Sequence, residues 1–214
     1  MDLERPNAEL LLRAYARGIF PMADPRTGSI DYYSPDPRAV IPLDAFHVPR
    51  SLARIARSGV FELRSDTAFE RVIRACGEPR PGRRETWLDE RLVRAYVELH
   101  ARGFAHSVEA WRDGQLVGGL YGVHLGAAFF GESMFSRPEA GGRDSSKLCL
   151  ATLVDWLRAG GFQLLDTQFR TPHLARFGCV EIPRDEYLER LEAALELRGR
   201  WPSAASPASG RAFK

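Results

Sequence analysis

Phe130-Gly131-Glu132-Ser133-Met134-Phe135-Ser136 sets one carboxylate between a glycine and apolar side chains, at the end of the apolar run 125–130. A carboxylate leaving such a run must be paired or put to use, because burying it bare is expensive. A second apolar run, 162–165, ends in Asp166, Thr167 and Gln168. Two buried strands that each release acid or amide groups at their ends point to one shared polar site. Asp166 and Gln168 stand two apart, so on a strand both side chains face the same side of the sheet. Glutamine is a weak base, so the chemistry such a set offers is orientation and electrostatic stabilisation of a reacting group. On residue types alone, the commoner role of an Asp/Gln pair is a structural hydrogen bond.

These groups need a sheet to hold them. His106 to Trp111 alternates like a half-buried strand, and Asp113-Gly114 supplies a hairpin turn. Strands over 116–123 and 127–134 follow, then a helix over 145–159 and a strand over 162–167. Upstream, Asn7 caps a helix from Ala8 to Arg17 that Gly18 stops. Five prolines between Pro21 and Pro42 make residues 19–44 a wrapped connector with short strands. Pro49 opens a short amphipathic helix carrying Leu52, Ile55 and arginines. A strand over 61–63, a helix over 67–76 capped by Asp66, a polar loop over 77–84 and a helix over 88–102 complete the order. Three antiparallel strands, a helix and another strand form the pattern of an α+β, GNAT-like acyltransferase core, a mixed and largely antiparallel sheet flanked by helices. The expected division is a small N-terminal lobe over 1–60, a catalytic domain over 61–200 and a mobile Ser/Ala/Pro-rich tail over 201–214.

Composition narrows the class. The chain has 214 residues, enough for one large domain without staples. Cys76, Cys149 and Cys179 are odd in number and widely spaced, which indicates neither a disulfide framework nor a metal site. The first residues carry acids and no apolar core of a signal peptide, and no run is long enough to span a bilayer. A soluble, cytoplasmic protein with no membrane partner is expected. The net charge is +2, yet Arg50, Arg54 and Arg57 recur at near-helical spacing, with Arg71, Arg74, Arg80, Arg83 and Arg84 soon after. That pattern fits either a solvated surface or a polyanion-binding face.

Longer motifs carry a resemblance. They are Tyr15-Ala16-Arg17-Gly18-Ile19-Phe20-Pro21, Tyr33-Ser34-Pro35-Asp36-Pro37-Arg38-Ala39-Val40, Thr86-Trp87, Ala105-His106-Ser107-Val108-Glu109 and Leu116 to Val123. Gly131 to Ser136, Ser146-Lys147, Asp166-Thr167-Gln168, His173 and Gly178 to Arg184 continue them in order. Over residues 9–190 the chain resembles the leucyl/phenylalanyl-tRNA–protein transferases. The resemblance implies transfer of Leu, Phe and sometimes Met from Leu-tRNA, Phe-tRNA or Met-tRNA to proteins beginning with Arg or Lys, which marks them for N-degron proteolysis. The ester is already activated, so no cofactor, ATP or metal is implied, and a monomer is expected.

The same resemblance assigns roles. Asp166 polarises Gln168, which contacts the attacking amine or the tetrahedral centre, and Glu132 holds the α-amino group of the aminoacyl moiety. Leu120, Phe129, Met134, Leu153 and Leu165 line the side-chain pocket; by periodicity alone each is ordinary core. A purely apolar pocket separates related side chains by shape only, so overlap among Leu, Phe and Met is expected. Trp87 stacks on the terminal adenine, with Met22 opposite in place of the family's tryptophan. Arg50, Arg54 and Arg57 meet tRNA phosphates.

The chain also departs from the pattern. It begins beyond the family's glycine-rich leader, so a shortened lobe is expected. The loop 138–144 is longer than usual and reads as a flexible lid or, the commoner case, a tolerated surface insertion. Phe177-Gly178-Cys179 replaces Leu-Gly-Ala, and His173 reads as structural. A CoA-dependent acetyltransferase would share the core but needs a glycine-rich pyrophosphate loop whose spacing 137–143 does not supply. An inactive RNA-binding relative is the other rival; intact Glu132, Asp166 and Gln168 argue against it.

Overall fold

Period-two alternation and the Asp113-Gly114 turn build the centre of the molecule, where both turn residues have positive φ, 50° and 74°, as a tight hairpin requires. The computed structural model describes residues 6–79 and 85–202. The remaining segments, 1–5, 80–84 (with Arg80, Arg83 and Arg84 of the basic loop) and the tail 203–214, lie outside the described residues.

In chain order the elements are α1 (Ala8–Tyr15), β1 (Phe20–Ala23), β2 (Ile30–Tyr33), β3 (Arg38–Val40), α2 (Arg50–Ser58), β4 (Glu62–Ser65) and α3 (Phe69–Gly77). Then come α4 (Glu90–Ala101), β5 (Ala105–Arg112), β6 (Gln115–Leu125), β7 (Ala128–Ser136) and α5 (Ser145–Ala159). The chain closes with β8 (Leu164–Gln168), α6 (Pro172–Ala175), β9 (Val180–Ile182) and α7 (Arg184–Leu195). The Asn7 side chain caps α1 by accepting from the Leu10 N–H, and Gly18 turns the chain at φ 70°.

β1 and β2 form their own ribbon, while seven strands form the main sheet in the order β4-β5-β6-β7-β8-β3-β9. Only β7 and β8 run parallel among these pairs, joined by the α5 crossover. This is the expected α+β architecture, a mixed and largely antiparallel sheet flanked by helices. β3 precedes residue 60, yet it is hydrogen-bonded between β8 and β9 in this sheet. α1, α3, α4 and α7 pack their apolar sides on one face, and α2 and α5 pack on the other. β6 must lie close to its neighbours: a Cβ on Gly118 would come within 2.0 Å of the Ser145 Oγ, and one on Gly122 within 2.3 Å of the Phe130 carbonyl oxygen.

Two local expectations are corrected. Asp66 does not cap α3. Its backbone is left-handed (φ 59°), and its carboxylate accepts from the Ser107 N–H and the His106 Nδ1, both at 2.8 Å. Glu109, buried on β5, takes the capping role by accepting from the Ala68 N–H at 2.7 Å and from the Thr67 hydroxyl. Trp201 does not belong to a loose tail either. Its ring stacks on His106 and Phe129, with centroids 4.3 and 5.3 Å away, and its Nε1 donates to Asp66 at 2.9 Å.

Candidate active site

β7 and β8 pair from Ala128–Leu164 to Phe130–Asp166 and then part. Glu132 sits in the opening because β7 carries a bulge there: Gly131 lies opposite Gly122 and Ser133 opposite Tyr121, so Glu132 has no cross-strand residue on β6. An extra residue of this kind re-aims a side chain without breaking the strand. Gln168 closes the other side. It ends β8 with φ 58°, a conformation uncommon for a non-glycine residue and typical of a constrained site. Its Nε2 donates to the Glu132 Oε1 at 3.1 Å, which bridges the gap and leaves the amide oxygen without a donor among the described residues.

Asp166 is fully buried and fully engaged. Arg38, itself fully buried, donates from Nε and Nη2 at 2.9 and 2.6 Å, and the Tyr187 hydroxyl donates at 2.8 Å. The fourth donor is the Gln168 backbone N–H at 2.8 Å. Burial, and then the charge of Asp166, push the Tyr187 hydroxyl up, so it stays a proton donor. The expected contact between the Asp166 carboxylate and the Gln168 side chain is therefore replaced by a bond to its main chain, and Asp166 holds the strand end that presents the amide. Arg38 is fixed in turn by donating to the Gly18 carbonyl oxygen at 2.8 Å and by the Phe20 and Tyr187 rings, 4.9 and 4.5 Å from its guanidinium carbon.

Glu132 is half-buried and faces two tyrosines. Tyr15 donates to Oε1 at 2.7 Å and Tyr96 to Oε2 at 3.2 Å, and the two hydroxyl oxygens lie 2.6 Å apart. Loss of water by burial pushes the Glu132 carboxyl up to about 7, opposed by the Tyr15 hydrogen bond and assisted by the Asp166 charge. Both phenols are themselves held well above their ordinary range, by burial first and then by Glu132.

Three cavities lie in a row. The central one, about 300 Å³, is mostly apolar and is lined by Leu120, Met134, Leu153 and Leu165 as expected, with Glu132 and Gln168 at its polar end. Leu150, Phe169 and Leu174 also line it. Phe129 does not. Its ring lies over Gly122 on the β6 side and is fully buried beneath Trp201, whereas the cavity opens toward β8. The second cavity, about 90 Å³, brings Met22 and Trp87 together and also reaches Glu132, Gln168 and Phe169. The Ala23 N–H, donating to the Trp87 carbonyl oxygen at 3.0 Å, ties the β1 ribbon to the start of α4. Phe169, 47% exposed, lines both cavities and meets Phe20 edge-on at 5.7 Å. The third cavity, about 380 Å³, adjoins the first through His173. Arg50, Arg54 and Arg57 stand on the exposed side of α2, and Leu52 faces inward.

Arg38, Tyr15, Tyr96 and Tyr187 were not assigned roles from sequence. Arg38 and Tyr15 do sit inside motifs that carry the resemblance, and a charge directly before Ala39-Val40-Ile41 was the available signal.

The family model "Leucyl/phenylalanyl-tRNA protein transferase" matches residues 40–192, and the corresponding N-terminal domain model matches residues 5–36. A leucyl/phenylalanyl-tRNA–protein transferase of Paramagnetospirillum magneticum is 58% identical over 189 residues, 88% of each chain. One of Herpetosiphon aurantiacus is 55% identical over 194 residues, 90% of this chain and 96% of its own. Among solved structures, the L-PGS of Bacillus licheniformis is a remote likeness, 13% identical at a TM-score of 0.44 over 79% of this chain and 55% of that one.

Proposed function

The chain belongs to the leucyl/phenylalanyl-tRNA–protein transferase family, aminoacyltransferases that move an amino acid from tRNA to protein, and from that premise we propose its donors, acceptors and working residues. The donors are Leu-tRNA, Phe-tRNA and Met-tRNA, and the acceptors are proteins whose first residue is Arg or Lys. The product is a peptide bond that marks the acceptor for N-degron proteolysis. The enzyme acts as a cytoplasmic monomer. Since the donor ester is already activated, the reaction requires no ATP, metal or other cofactor.

The observation that carries this reading is an apolar cavity of about 300 Å³ that ends at the Glu132–Gln168 bridge and adjoins the Met22/Trp87 cleft. The donor side chain fills the space between Leu120, Met134, Leu153 and Leu165, and its α-ammonium meets Glu132. The terminal adenine lies against Trp87, with Met22 opposite. The acceptor amine, with a pKa of about 7.7–8.0, is partly neutral near neutral pH and needs placement more than a strong base. The free Gln168 amide oxygen accepts from an amine N–H and aims the nitrogen lone pair at the ester carbonyl carbon. The new C–N bond forms as the C–O bond to the 3′ oxygen breaks, and the proton lost by the amine ends on that oxygen. Asp166 and Arg38 fix the Gln168 main chain. Arg50, Arg54 and Arg57 contact tRNA phosphates.

The test is transfer of labelled Leu, Phe and Met from charged tRNA to peptides beginning with Arg, Lys, Asp or Ala, without ATP or CoA. Label on the Arg and Lys peptides supports the reading. Label confined to the Asp peptide overturns the acceptor assignment, and no label on any peptide overturns the reaction.

A further inference from the structure

The third cavity has no part in the reaction as described. It lies between α2, the start of α5 and α6, and its walls carry Arg143, Lys147 and Arg176 against one carboxylate, Asp144, which pairs with Lys147. Arg143 and Arg176 are exposed, and neither forms an ion pair or hydrogen bond among the described residues. Two free guanidinium groups facing one cavity repel each other and are suited to a doubly bonded oxyanion. His173 forms the wall shared with the aminoacyl cavity, and its buried Nε2 has no partner among the described residues. Burial, then Lys147 and Arg176, hold that imidazole below its ordinary range, so the cations are not joined by a fourth charge but dominate the local field. Arg143 belongs to the 138–144 segment, the stretch that sequence marks as an insertion.

We propose that this cavity is a second phosphate contact, in which Arg143, Arg176 and Lys147 hold backbone phosphate of the substrate tRNA. The proposal rests on the transferase reading above. Of the two substrates in that reading, the acceptor brings an amine and a cationic first side chain, which three cations would repel. The tRNA brings phosphates, and α2, which lines the cavity with Ser51, Leu52 and Ile55, carries Arg50, Arg54 and Arg57 on its exposed side. The insertion thereby extends the basic surface of α2 around to the far side of the aminoacyl cavity.

The test compares wild type with Arg143→Gln/Arg176→Gln. Each lost phosphate contact flattens the dependence of log Kd for tRNA on log salt by about 0.7–0.9, so the double variant should flatten it by about 1.4–1.8. Arg143→Lys/Arg176→Lys, which keeps both charges, should restore most of the slope. Removing the same charge elsewhere, with Arg190→Gln/Arg198→Gln, should leave the slope at its wild-type value. An unchanged slope in the first variant overturns the proposal, as does an equal flattening in the α7-side control. A rise in the KM for the acceptor peptide with tRNA binding intact also overturns it and gives the cavity to the protein substrate. Wild-type protein that binds tRNA but transfers nothing would sink the transferase reading while leaving the slope comparison valid.

Discussion

Replacing Glu132 with glutamine should stabilise the chain at pH 8 while crippling its hold on the donor. The oxygens of Tyr15, Tyr96 and Glu132 make three contacts of 2.6, 2.7 and 3.2 Å. Three contacts need three protons, and two phenols supply two. An ionised Glu132 therefore leaves the phenol oxygens meeting lone pair to lone pair, whereas a protonated carboxyl closes the ring. This agrees with the burial that pushes Glu132 up to about 7. The unfolded chain releases that proton near pH 4.3, so the folded chain binds the extra proton between about 4.3 and 7. Stability is full below that window, falls as pH rises through it, and is level above. The loss is at most about 4 kcal/mol, and partial exposure of the site lowers it to about 1–3 kcal/mol. Glutamine supplies the third donor at every pH through its amide. Urea unfolding followed by tryptophan fluorescence should find variant and wild type nearly equal near pH 4 and the variant about 1–3 kcal/mol more stable at pH 8. In transfer assays the wild-type KM for aminoacyl-tRNA should fall as pH rises through about 7, and the variant KM should be high and flat. A variant destabilised equally at both pH values would refute the proton count.

Substitutions at three other positions probe the rest of the site. Arg38→Ala leaves the fully buried Asp166 without its ion pair and should cost about 3–5 kcal/mol in urea unfolding, with Arg38→Lys restoring only part because one ammonium cannot replace the fork. Leu153→Ala deepens the central apolar cavity and, on the proposed reading, should raise the preference for Phe over Leu, read as the ratio of kcat/KM, by roughly tenfold. Met22→Trp gives the Met22/Trp87 cleft a second indole and, on the proposed reading, should tighten binding of the tRNA 3′ end by about 1 kcal/mol, measured by competition with short 3′-terminal oligonucleotides.

The central strands and α5 were legible because their signals are local. Asp113-Gly114 dictates its own turn, and the alternation on either side sets the pairing. Elsewhere, distant groups decided the outcome. Asp66 has the composition of a helix cap, but Glu109 from a neighbouring strand reaches the Ala68 N–H and makes the cap redundant. Phe129 shares its sheet face with the pocket residues, and nothing in its spacing shows that its ring crosses Gly122 to meet Trp201. The bulge that aims Glu132 adds one residue to a strand, which alternation alone cannot reveal. Asp166 and Gln168 were visible as a pair, yet their connection runs through a main-chain N–H, because Arg38 and Tyr187 already occupy the carboxylate. The side chains of Leu120, Met134, Leu153 and Leu165 do converge on one cavity.

The position of β3 bears on how the protein is made. Arg38 and Asp166 are 128 residues apart in the chain, and β3 is flanked in the sheet by two strands that are translated long after it. At ribosomal speeds of about 5–20 residues per second, Arg38 waits roughly 6–25 s for its carboxylate to be synthesised. Until then the growing polypeptide can form the β5–β6–β7 meander from near neighbours, but it has no means of closing the long loop that completes the sheet. A ribosome stalled before Asp166 therefore yields fragments that lack the buried Arg38–Asp166 pair. Competence arrives late and all together, with the strand that brings Asp166.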